Sequence, residues 1–290
     1  MTARPHGANF LERERARSTQ DMSASLNSCR GNTLFLLAHN DDEFFVLPRI
    51  EAEIASGSNI TIIFTTDGAA YGESPDRRLG ETLKALAKYG LTREHIMPLG
   101  TKLGIRDGTS HLSIDDLWQA LNTMPQVTDV VRIYTPAWEG GHVDHDTAHL
   151  LSIALARQCS ATVHEFSLYH GYKVRPPFFR CMSLIPASTA VHFDKCTWTQ
   201  AISWLFTCRH YHSQRRAFLG LIGFCLPQIL GRRSLVTREA GGYDYFARAH
   251  DGPLFYETRF KVPHAVFHSN TGRFIRKHLL EGEPLQATAY

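Results

Sequence analysis

Two clusters of histidine and carboxylate side chains provide the residue types that metal-assisted hydrolysis requires. The first cluster follows the apolar run 34–38 directly and contains His39, Asp41 and Asp42. A histidine and an aspartate three residues apart can converge on one metal ion, and Asp41 then faces whatever the ion binds. The alternative interpretation is a polar loop that caps the following helix.

The second cluster lies far downstream, where the β-rich run 130–136 leads into a loop that contains glycine. This loop carries His142, Asp144 and His145, and a helix pattern follows it. In open α/β sheets the carboxyl ends of the strands line the ligand crevice, so two such strand endings can meet at one edge.

Together the two clusters predict a three-ligand metal site. His39, Asp42 and His145 provide two histidines and one carboxylate, which is the ligand count of a catalytic zinc with one position left for water. Asp41 then remains as a general base, and His142 faces the charge that develops during the reaction.

Two other interpretations of these residues remain open. His145 and His149 stand four residues apart, as on a zinc peptidase helix, but that motif has glutamate where Asp146 stands. The chain is alternatively a non-catalytic sugar- or nucleotide-binding α/β domain whose acidic loops hold a structural cation. No G-x-G-x-x-G motif follows the first strand, which disfavours a dinucleotide site.

The elements that position these clusters alternate between strands and helices. The predicted strands are 34–38, 59–65, 96–99, 130–134 and 162–169. The predicted helices are 44–54, 79–89, 113–122, 146–158, 194–207 and 211–218. Alternation of this kind predicts βαβ units, and therefore a Rossmann-like three-layer α/β fold with a mostly parallel sheet and a C-terminal helical and loop extension.

The sequence divides into a polar N-terminal segment and one α/β domain. Residues 1–31 are polar and charged, and we expect a poorly ordered leader there. Residues 32–290 are predicted to form a single α/β domain. Within that domain, 190–290 is expected to be an irregular extension that lines the cleft.

Composition excludes several classes of protein. The 290 residues are 43% hydrophobic and 20% charged, with a net charge of +3 and no long basic run that would indicate nucleic acid binding. Six scattered cysteines without a Cys-x-x-Cys motif indicate free thiols and a cytoplasmic protein. The apolar segment 218–230 is too short to span a bilayer. It is either a buried hairpin of helices or, with its flanking arginines, a peripheral contact with the inner membrane surface.

Several motifs resemble those of the LmbE-like, PIG-L-type N-acetylglucosaminyl deacetylase family. The family motif Ala-His-Pro-Asp-Asp-Glu corresponds to Ala38–Glu43, and His-x-Asp-His corresponds to His142–His145. The stretches 66–68, 78–81 and 213–214 are similar to further family motifs. The clear departure is Asn40 in place of proline, which alters loop geometry and leaves the metal ligands in place.

The resemblance implies a zinc-dependent hydrolase of linear amide bonds that carries one zinc ion per chain. Its substrate would be an N-acetylglucosamine-type conjugate, such as a glycan, a glycolipid or a natural-product precursor, and the alternative is an amidase on a non-acetyl amide. His142, held by Asp144, would stabilise the oxyanion when protonated. Arg78 is a candidate for binding a sugar hydroxyl or a phosphate, and the alternative is a solvated helix charge.

Overall fold

A computed structural model describes residues 31–280, and a mostly parallel seven-stranded sheet forms its centre. The predicted three-layer α/β fold is confirmed. The strands, in chain order, are β1 (Asn32–Leu37), β2 (Asn59–Phe64), β3 (Ile96–Pro98), β4 (Val130–Pro136), β5 (Thr162–Phe166), β6 (Tyr169–His170), β7 (Arg180–Cys181), β8 (Val191–Lys195) and β9 (Ser234–Glu239). The sheet has the order β3-β2-β1-β4-β5-β9-β8, while β6 and β7 form a separate two-stranded ribbon.

Helices cover both faces of this sheet. They are α1 (Asp42–Ala55), α2 (Pro75–Leu86), α3 (Leu99–Leu103), α4 (Ile114–Asn122), α5 (Val143–Cys159), α6 (Trp198–Thr207), α7 (Arg215–Leu226), α8 (Phe255–Arg259) and α9 (His264–Ile275). Two π-helical turns, Pro227–Arg232 and Arg276–Leu280, continue α7 and α9. Within residues 31–280, no helix has the length and apolar character needed to cross a membrane.

Strand β1 explains why the first apolar run is continuous. Leu34 and Leu36 belong to the core on one face of the sheet, whereas Phe35 and Leu37 belong to the core on the other. All four side chains are fully buried. A strand covered on both faces requires apolar residues at every position, because successive side chains point to opposite faces.

The strand order brings the two motif loops together. β1 pairs in parallel with β2 on one side and with β4 on the other. The crevice at the carboxyl ends of β1 and β4 is a topological switch point, since the strand order reverses there. The loops that follow these two strands therefore meet at one place, as the sequence predicted.

The C-terminal third differs from its prediction as an irregular extension. β8 and β9 extend the sheet beyond β5 with antiparallel pairing. The predicted strand 162–169 ends at Phe166, and the predicted helix 194–207 begins only at Trp198. Of the predicted leader, residues 1–30 lie outside the described residues.

A hydrogen bond compensates for a proline inside α1. Pro48 has no N–H, so the carbonyl of Phe44 lacks its helical donor. The indole Nε1 of the buried Trp204 donates to this carbonyl at 2.6 Å. The bond attaches α6 to the helix that begins with the first motif.

We expect Trp204→Phe to lower the free energy of unfolding by about 1–3 kcal/mol, because it leaves a buried carbonyl without a donor. Urea denaturation measures this loss. Trp198→Phe is the matched control, since Trp198 lies on the same helix and is 58% exposed. Equal effects of the two substitutions would show that the hydrogen bond contributes nothing specific.

Candidate active site

The loop after β1 folds the carboxylate of Asp42 back over its own backbone. Asp42 Oδ2 accepts hydrogen bonds from the N–H groups of Ala38, at 3.0 Å, and His39, at 2.9 Å. Burial would raise the pKa of Asp42, but the adjacent His145 and His39 hold it well below its usual range. The carboxylate is therefore ionised and directed at the two histidines.

The neighbouring Asp41 has a backbone conformation that side chains rarely adopt, with φ of 120°. Two contacts hold it there. Its N–H donates to Glu43 Oε2 at 2.8 Å, and Tyr211 Oη donates to the other oxygen of Glu43 at 2.9 Å. Backbone strain of this kind is kept where the surrounding structure fixes it, and it is common at functional sites.

Arg78 lies beneath this loop. Its Nη2 donates to the carbonyl of Asn40 and to Asp41 Oδ1, the latter at 3.1 Å. Burial raises the pKa of Asp41 to about 6, although the guanidinium of Arg78 acts in the opposite direction. Only 2% of the Arg78 side chain is exposed, against 17% of Asp41. The structure thus places Arg78 in contact with the predicted base, and its predicted substrate contact remains a prediction.

The second loop is held close to the ribbon strand β6. A Cβ at Gly141 would collide with the carbonyl oxygen of Tyr169, so only glycine fits this approach. His142 follows as the N-cap of α5, where its Nδ1 accepts the N–H of Asp144 at 3.2 Å. His145 lies in the first turn of the same helix.

The three predicted metal ligands come together at the switch point. Ligand atoms of His39, Asp42 and His145 all lie within 4.8 Å of one another. The shortest separations are 3.3 Å between His145 Nε2 and Asp42 Oδ1, and 3.7 Å between His39 Nδ1 and Asp42 Oδ2. Ligands at zinc distances in a tetrahedral array lie about 3.3–3.4 Å apart, so these two separations are close to those that a zinc ion requires.

The chemistry of the donor set fits a cation as well. Both ring nitrogens of His145 are buried, and neither has a hydrogen-bond partner of good geometry among residues 31–280, although Nε2 lies 3.3 Å from Asp42 Oδ1. An unpaired buried polar atom costs free energy unless a ligand satisfies it. Asp42, Asp107 and Asp144 all have lowered pKa values, and in each case nearby histidines outweigh the effect of burial. The site therefore concentrates negative charge around histidine nitrogens.

Asp144 connects three chain segments at this site. Its carboxylate accepts hydrogen bonds of 2.5–3.0 Å from Gly108 N, Ser110 N, Ser110 Oγ and His39 Nε2. Since His39 Nε2 faces Asp144, its Nδ1 is the nitrogen left for the set with Asp42. A carboxylate behind a metal-binding histidine commonly fixes the tautomer and orientation of the ring in this way.

This arrangement differs from the predicted pairing of Asp144 with a protonated His142. Asp144 Oδ2 lies 3.7 Å from His142 Nδ1 but only 3.0 Å from His39. Burial lowers the pKa of His142 to about 4, although Asp144 acts in the opposite direction. The ring of His142 is therefore neutral, and its proton lies on Nε2 because Nδ1 accepts a backbone N–H.

Asp107 completes the cluster and was missed in the sequence. Its Oδ1 lies 3.5 Å from His39 Nε2 and 3.8 Å from His142 Nε2. The ligand atoms of Asp107, His142 and Asp144 form a second group around His39 that could hold a metal. Asp67 positions this aspartate by accepting its N–H at 3.0 Å. The sequence around Asp107 does not identify it as a site residue, because an Asp-Gly pair more often indicates a turn.

The rival zinc-peptidase pair is not formed. Both nitrogens of His149 are occupied, one at 3.0 Å from the carbonyl of Pro136 and the other at 3.1 Å from Tyr245 Oη. His149 belongs to neither metal-ligand group found among residues 31–280. It is a buried histidine with satisfied hydrogen bonds, behind the site.

Aromatic side chains from the C-terminal half form a wall of the site that sequence reasoning also missed. The ring of Tyr169 lies 5.4 Å from that of His145, and the ring of Phe260 lies 4.5 Å from that of His142. Phe255 packs between Tyr169, at 5.5 Å, and Phe260, at 6.1 Å. Aromatic residues on irregular segments carry no periodic signal that would have identified them.

The remaining motif residues connect the surrounding elements. Asn40, which replaces the family proline, donates from Nδ2 to Thr82 at 3.3 Å and so attaches its loop to α2. Glu81 accepts hydrogen bonds from the N–H and the hydroxyl of Ser213, at 2.9 and 2.6 Å. The motifs of residues 78–81 and 213–214 thus contact each other directly.

Comparison with known proteins supports the predicted family. Residues 34–156 match the model of the PIG-L family, described as GlcNAc-PI de-N-acetylase, and the resemblance drawn from the motifs is confirmed over these residues. No sequence among curated proteins matches significantly.

Solved structures with the same fold include the following three structures of deacetylases. A deacetylase–bog complex in the biosynthesis pathway of teicoplanin has a TM-score of 0.56 at 13% identity, over 74% of this chain and 99% of that chain. The A40926 pseudoaglycone deacetylase has a TM-score of 0.52 at 15% identity, over 73% and 100%. The zinc-inhibited form of teicoplanin deacetylase has a TM-score of 0.54 at 12% identity, over 74% and 99%. Likeness at such identities shows the fold alone.

We expect His39→Ala, Asp42→Ala and His145→Ala each to lower the zinc content of the purified protein. Each change removes one of three converging ligands, which metal analysis by mass spectrometry measures directly. His149→Gln is the control, because His149 lies on the same helix as His145 with its nitrogens occupied. Full zinc occupancy in all three alanine variants, or equal loss in His149→Gln, would contradict this site.

Proposed function

We propose that this chain, whose residues 34–156 match the GlcNAc-PI de-N-acetylase family, is a zinc-dependent N-deacetylase. Its substrate would be an N-acetylglucosamine-type sugar conjugate, and residues 32–290 would act as one domain with one zinc ion. The observation that carries the proposal is the convergence of His39, Asp42 and His145 beside the partly buried carboxylate of Asp41.

Three side chains would hold the ion: His39, Asp42 and His145. When bound there, zinc would supply a water of lowered pKa and a Lewis acid for the amide carbonyl. Asp144 keeps the ring of His39 oriented for this role through the 3.0 Å contact at Nε2.

The proton transfers fall to Asp41. Amide hydrolysis needs a base that takes a proton from the attacking water and an acid that returns one to the leaving amine. The side chain of Asp41 is 17% exposed, against 4% for Asp42. Asp41 is therefore next to a proposed ligand but remains free of the ligand set. The contact with Arg78 fixes the direction of one oxygen.

His142 would stabilise the oxyanion through its neutral form. Since Nδ1 accepts the N–H of Asp144, Nε2 carries the proton and can donate it in a hydrogen bond. Such a preorganised donor stabilises negative charge that develops on the amide oxygen. This role does not require the protonated imidazole that the sequence interpretation assumed.

We expect Asp41→Asn to lower kcat by about 10²–10⁴-fold, because general-base catalysis contributes that much, while zinc stays bound. His142→Ala should lower kcat by about 10²–10³-fold for lack of a donor to the oxyanion. Acetate release and zinc content are measured on the same preparations.

The matched control for these variants is Asp76→Asn, an exposed aspartate at the start of α2. It should keep wild-type turnover. Near-wild-type kcat in Asp41→Asn would exclude Asp41 as the base. Acyl specificity is read from the same assay with N-acetyl and longer N-acyl sugars, since a preference for a longer amide would favour the amidase alternative.

The predicted membrane contact remains a proposal, and the exposed face of α7 supports it. Leu219 is 76% exposed and Phe224 39%. Arg215 and Arg216 at one end and Arg232 beyond the other end of the helix are exposed. Apolar side chains between basic ones suit a shallow contact with an anionic lipid surface.

We expect the protein to bind anionic vesicles in a salt-sensitive manner, and Leu219→Glu to weaken this binding. Vesicle sedimentation at low and high salt measures it, with neutral vesicles for comparison. Leu103→Glu serves as the control, since Leu103 is an exposed leucine on α3 at 41%. Absence of binding in the wild type would eliminate the membrane contact and leave the hydrolase proposal intact.

A further inference from the structure

The strand β8 forms one edge of the seven-stranded sheet. It pairs with β9 on its inner side, and no strand among residues 31–280 pairs with its outer side. An edge strand presents unpaired N–H and C=O groups, which are a template for pairing with another chain. What can pair there depends on which backbone groups of β8 face outward.

Hydrogen bonds to β9 show which residues of β8 direct their backbone groups outward. Cys196 N donates to the carbonyl of Arg233 at 2.7 Å, directly beyond the end of β8. In an antiparallel ladder, opposite residues alternate between pairs that exchange both hydrogen bonds and pairs that exchange none. His192 and Asp194 therefore bond to β9, as Cys196 does. The alternate residues of the strand direct their N–H and C=O groups away from the sheet, and these are Val191, Phe193 and Lys195.

The other side of β9 gives the same alternation. Ala240 N donates to the carbonyl of Val163 on β5 at 2.9 Å. Every second residue of β9, counted back from Ala240, therefore bonds to β5, and the residues between them bond to β8. Thr237, the register partner of His192, is one of those that bond to β8. Both ladders thus leave the same residues of β8 with outward backbone groups.

β8 lacks the features that protect edge strands from association. The opposite edge of the sheet, β3, is three residues long and ends in Pro98. Short strands and prolines both hinder pairing at an edge. β8 has five residues, no proline and a register without a shift. Val191 is 46% exposed and Phe193 50%, so the unprotected edge also carries apolar side chains.

The sequence of β8 complements itself when two copies run antiparallel. A two-fold axis through Phe193 places the two phenylalanines opposite each other, and each His192 opposite the Asp194 of the other copy. Val191 then lies opposite Lys195, whose methylene stem can cover it. Axes through His192 or Asp194 would instead place two histidines or two carboxylates opposite each other, and like charges in that position are destabilising. The register centred on Phe193 is therefore the favoured one.

Charges beside the strand are compatible with this register. Arg49 Nε donates to Asp194 Oδ2 at 3.0 Å, and Arg49 Nη2 lies 3.3 Å from His192 Nε2. The two Asp194 side chains would be diagonal neighbours across the axis. Because each carboxylate already has a guanidinium beside it, they would not meet as uncompensated like charges.

We propose that β8 is a dimerisation edge, where a second copy of this chain pairs antiparallel about Phe193 and continues the sheet. The contact uses the same strand from each copy, so it closes as a dimer. β8 is four strands away from β1, about 19 Å, and pairing would leave the candidate metal site open. Five paired residues a side bury less than the roughly 1,200 Å² of stable interfaces, so the dimer should dissociate on dilution.

The first test measures the mass of the protein in solution. Sedimentation equilibrium of the full chain, from micromolar to millimolar concentration, should show an apparent mass that rises toward twice that of the monomer. Phe193→Lys should abolish this rise, because it places two like charges opposite each other on the axis. Phe206→Lys is the matched control and should keep the rise, since Phe206 is 60% exposed on α6.

Two results of this experiment would overturn the proposal. One is a monomer at every concentration of the wild type, which is also the result if another part of the chain or another protein covers the edge. The other is an equal loss of dimer in Phe193→Lys and Phe206→Lys. Zinc content should be the same in both variants and the wild type, because β8 lies away from the predicted ligands.

The second test fixes the register and does not need a variant that weakens association. In the proposed register the Cα atoms of the two Phe193 residues would lie about 5.5 Å apart, as in a hydrogen-bonded antiparallel pair, and a disulfide spans such a separation. The two Val191 residues would lie four positions apart along the strands, about 14 Å, which is too far.

Under mild oxidation Phe193→Cys should therefore give severalfold more disulfide-linked dimer than the wild type, whose native cysteines set the background. Val191→Cys is the matched control and should stay at that background. Non-reducing electrophoresis measures both. Equal crosslinking of the two variants, or none above background in Phe193→Cys, would overturn pairing about Phe193.

Discussion

Four hydrogen bonds converge on the carboxylate of Asp144, and the arrangement of the site depends on them. They come from His39 after β1 and from Gly108 and Ser110 in the loop after α3, while Asp144 itself lies on α5 after β4. A fully buried carboxylate without such partners would be costly. The same bonds that satisfy its charge join three segments that are distant in the sequence, and parallel pairing of β1 with β4 brings them within reach.

A second set of buried polar contacts holds the backbone of Asp41, the predicted base. Asp41 has a strained backbone that Glu43 holds through the N–H, and Tyr211 in turn holds Glu43. Burial raises the pKa of Glu43 to about 7. The residue that holds Asp41 is therefore itself a group whose burial as a carboxylate costs free energy. The contacts of Glu43 with Asp41 and Tyr211 therefore contribute both to the stability of the fold and to the geometry of the site. A substitution of Glu43 or Tyr211 would shift Asp41 although neither residue is proposed to touch the substrate.

Sequence reasoning succeeded where the signal was local. An apolar run that ends in His39, Asp41 and Asp42 indicates a buried strand that stops there, because acidic residues cannot continue inside a two-sided core. The metal site at the end of this strand stays a prediction. Sequence reasoning failed where a residue acquires its role from a distant partner. Asp107 resembles an ordinary turn residue until the fold brings it to His39.

Strand β9 was missed for a similar reason. It carries Arg238 at a buried position, where pattern reasoning expects an apolar residue. Arg238 Nε donates to the buried Glu165 on the neighbouring β5 at 2.5 Å. A buried charge of this kind is tolerated only with its partner, and the partner is not visible from the strand's own sequence.

The division between local and distant signals also separates the predicted metal ligands from the aromatic rings around them. The predicted ligand set and the predicted base lie within 34–156, where they follow β1 and β4. The aromatic wall comes from Tyr169, Phe255 and Phe260, on short elements joined by irregular segments. Catalytic groups need rigid strand ends, whereas a wall of aromatic rings needs only packing and can vary in sequence. The strand ends therefore position the predicted ligands, while segments of the C-terminal half supply the rings that surround them.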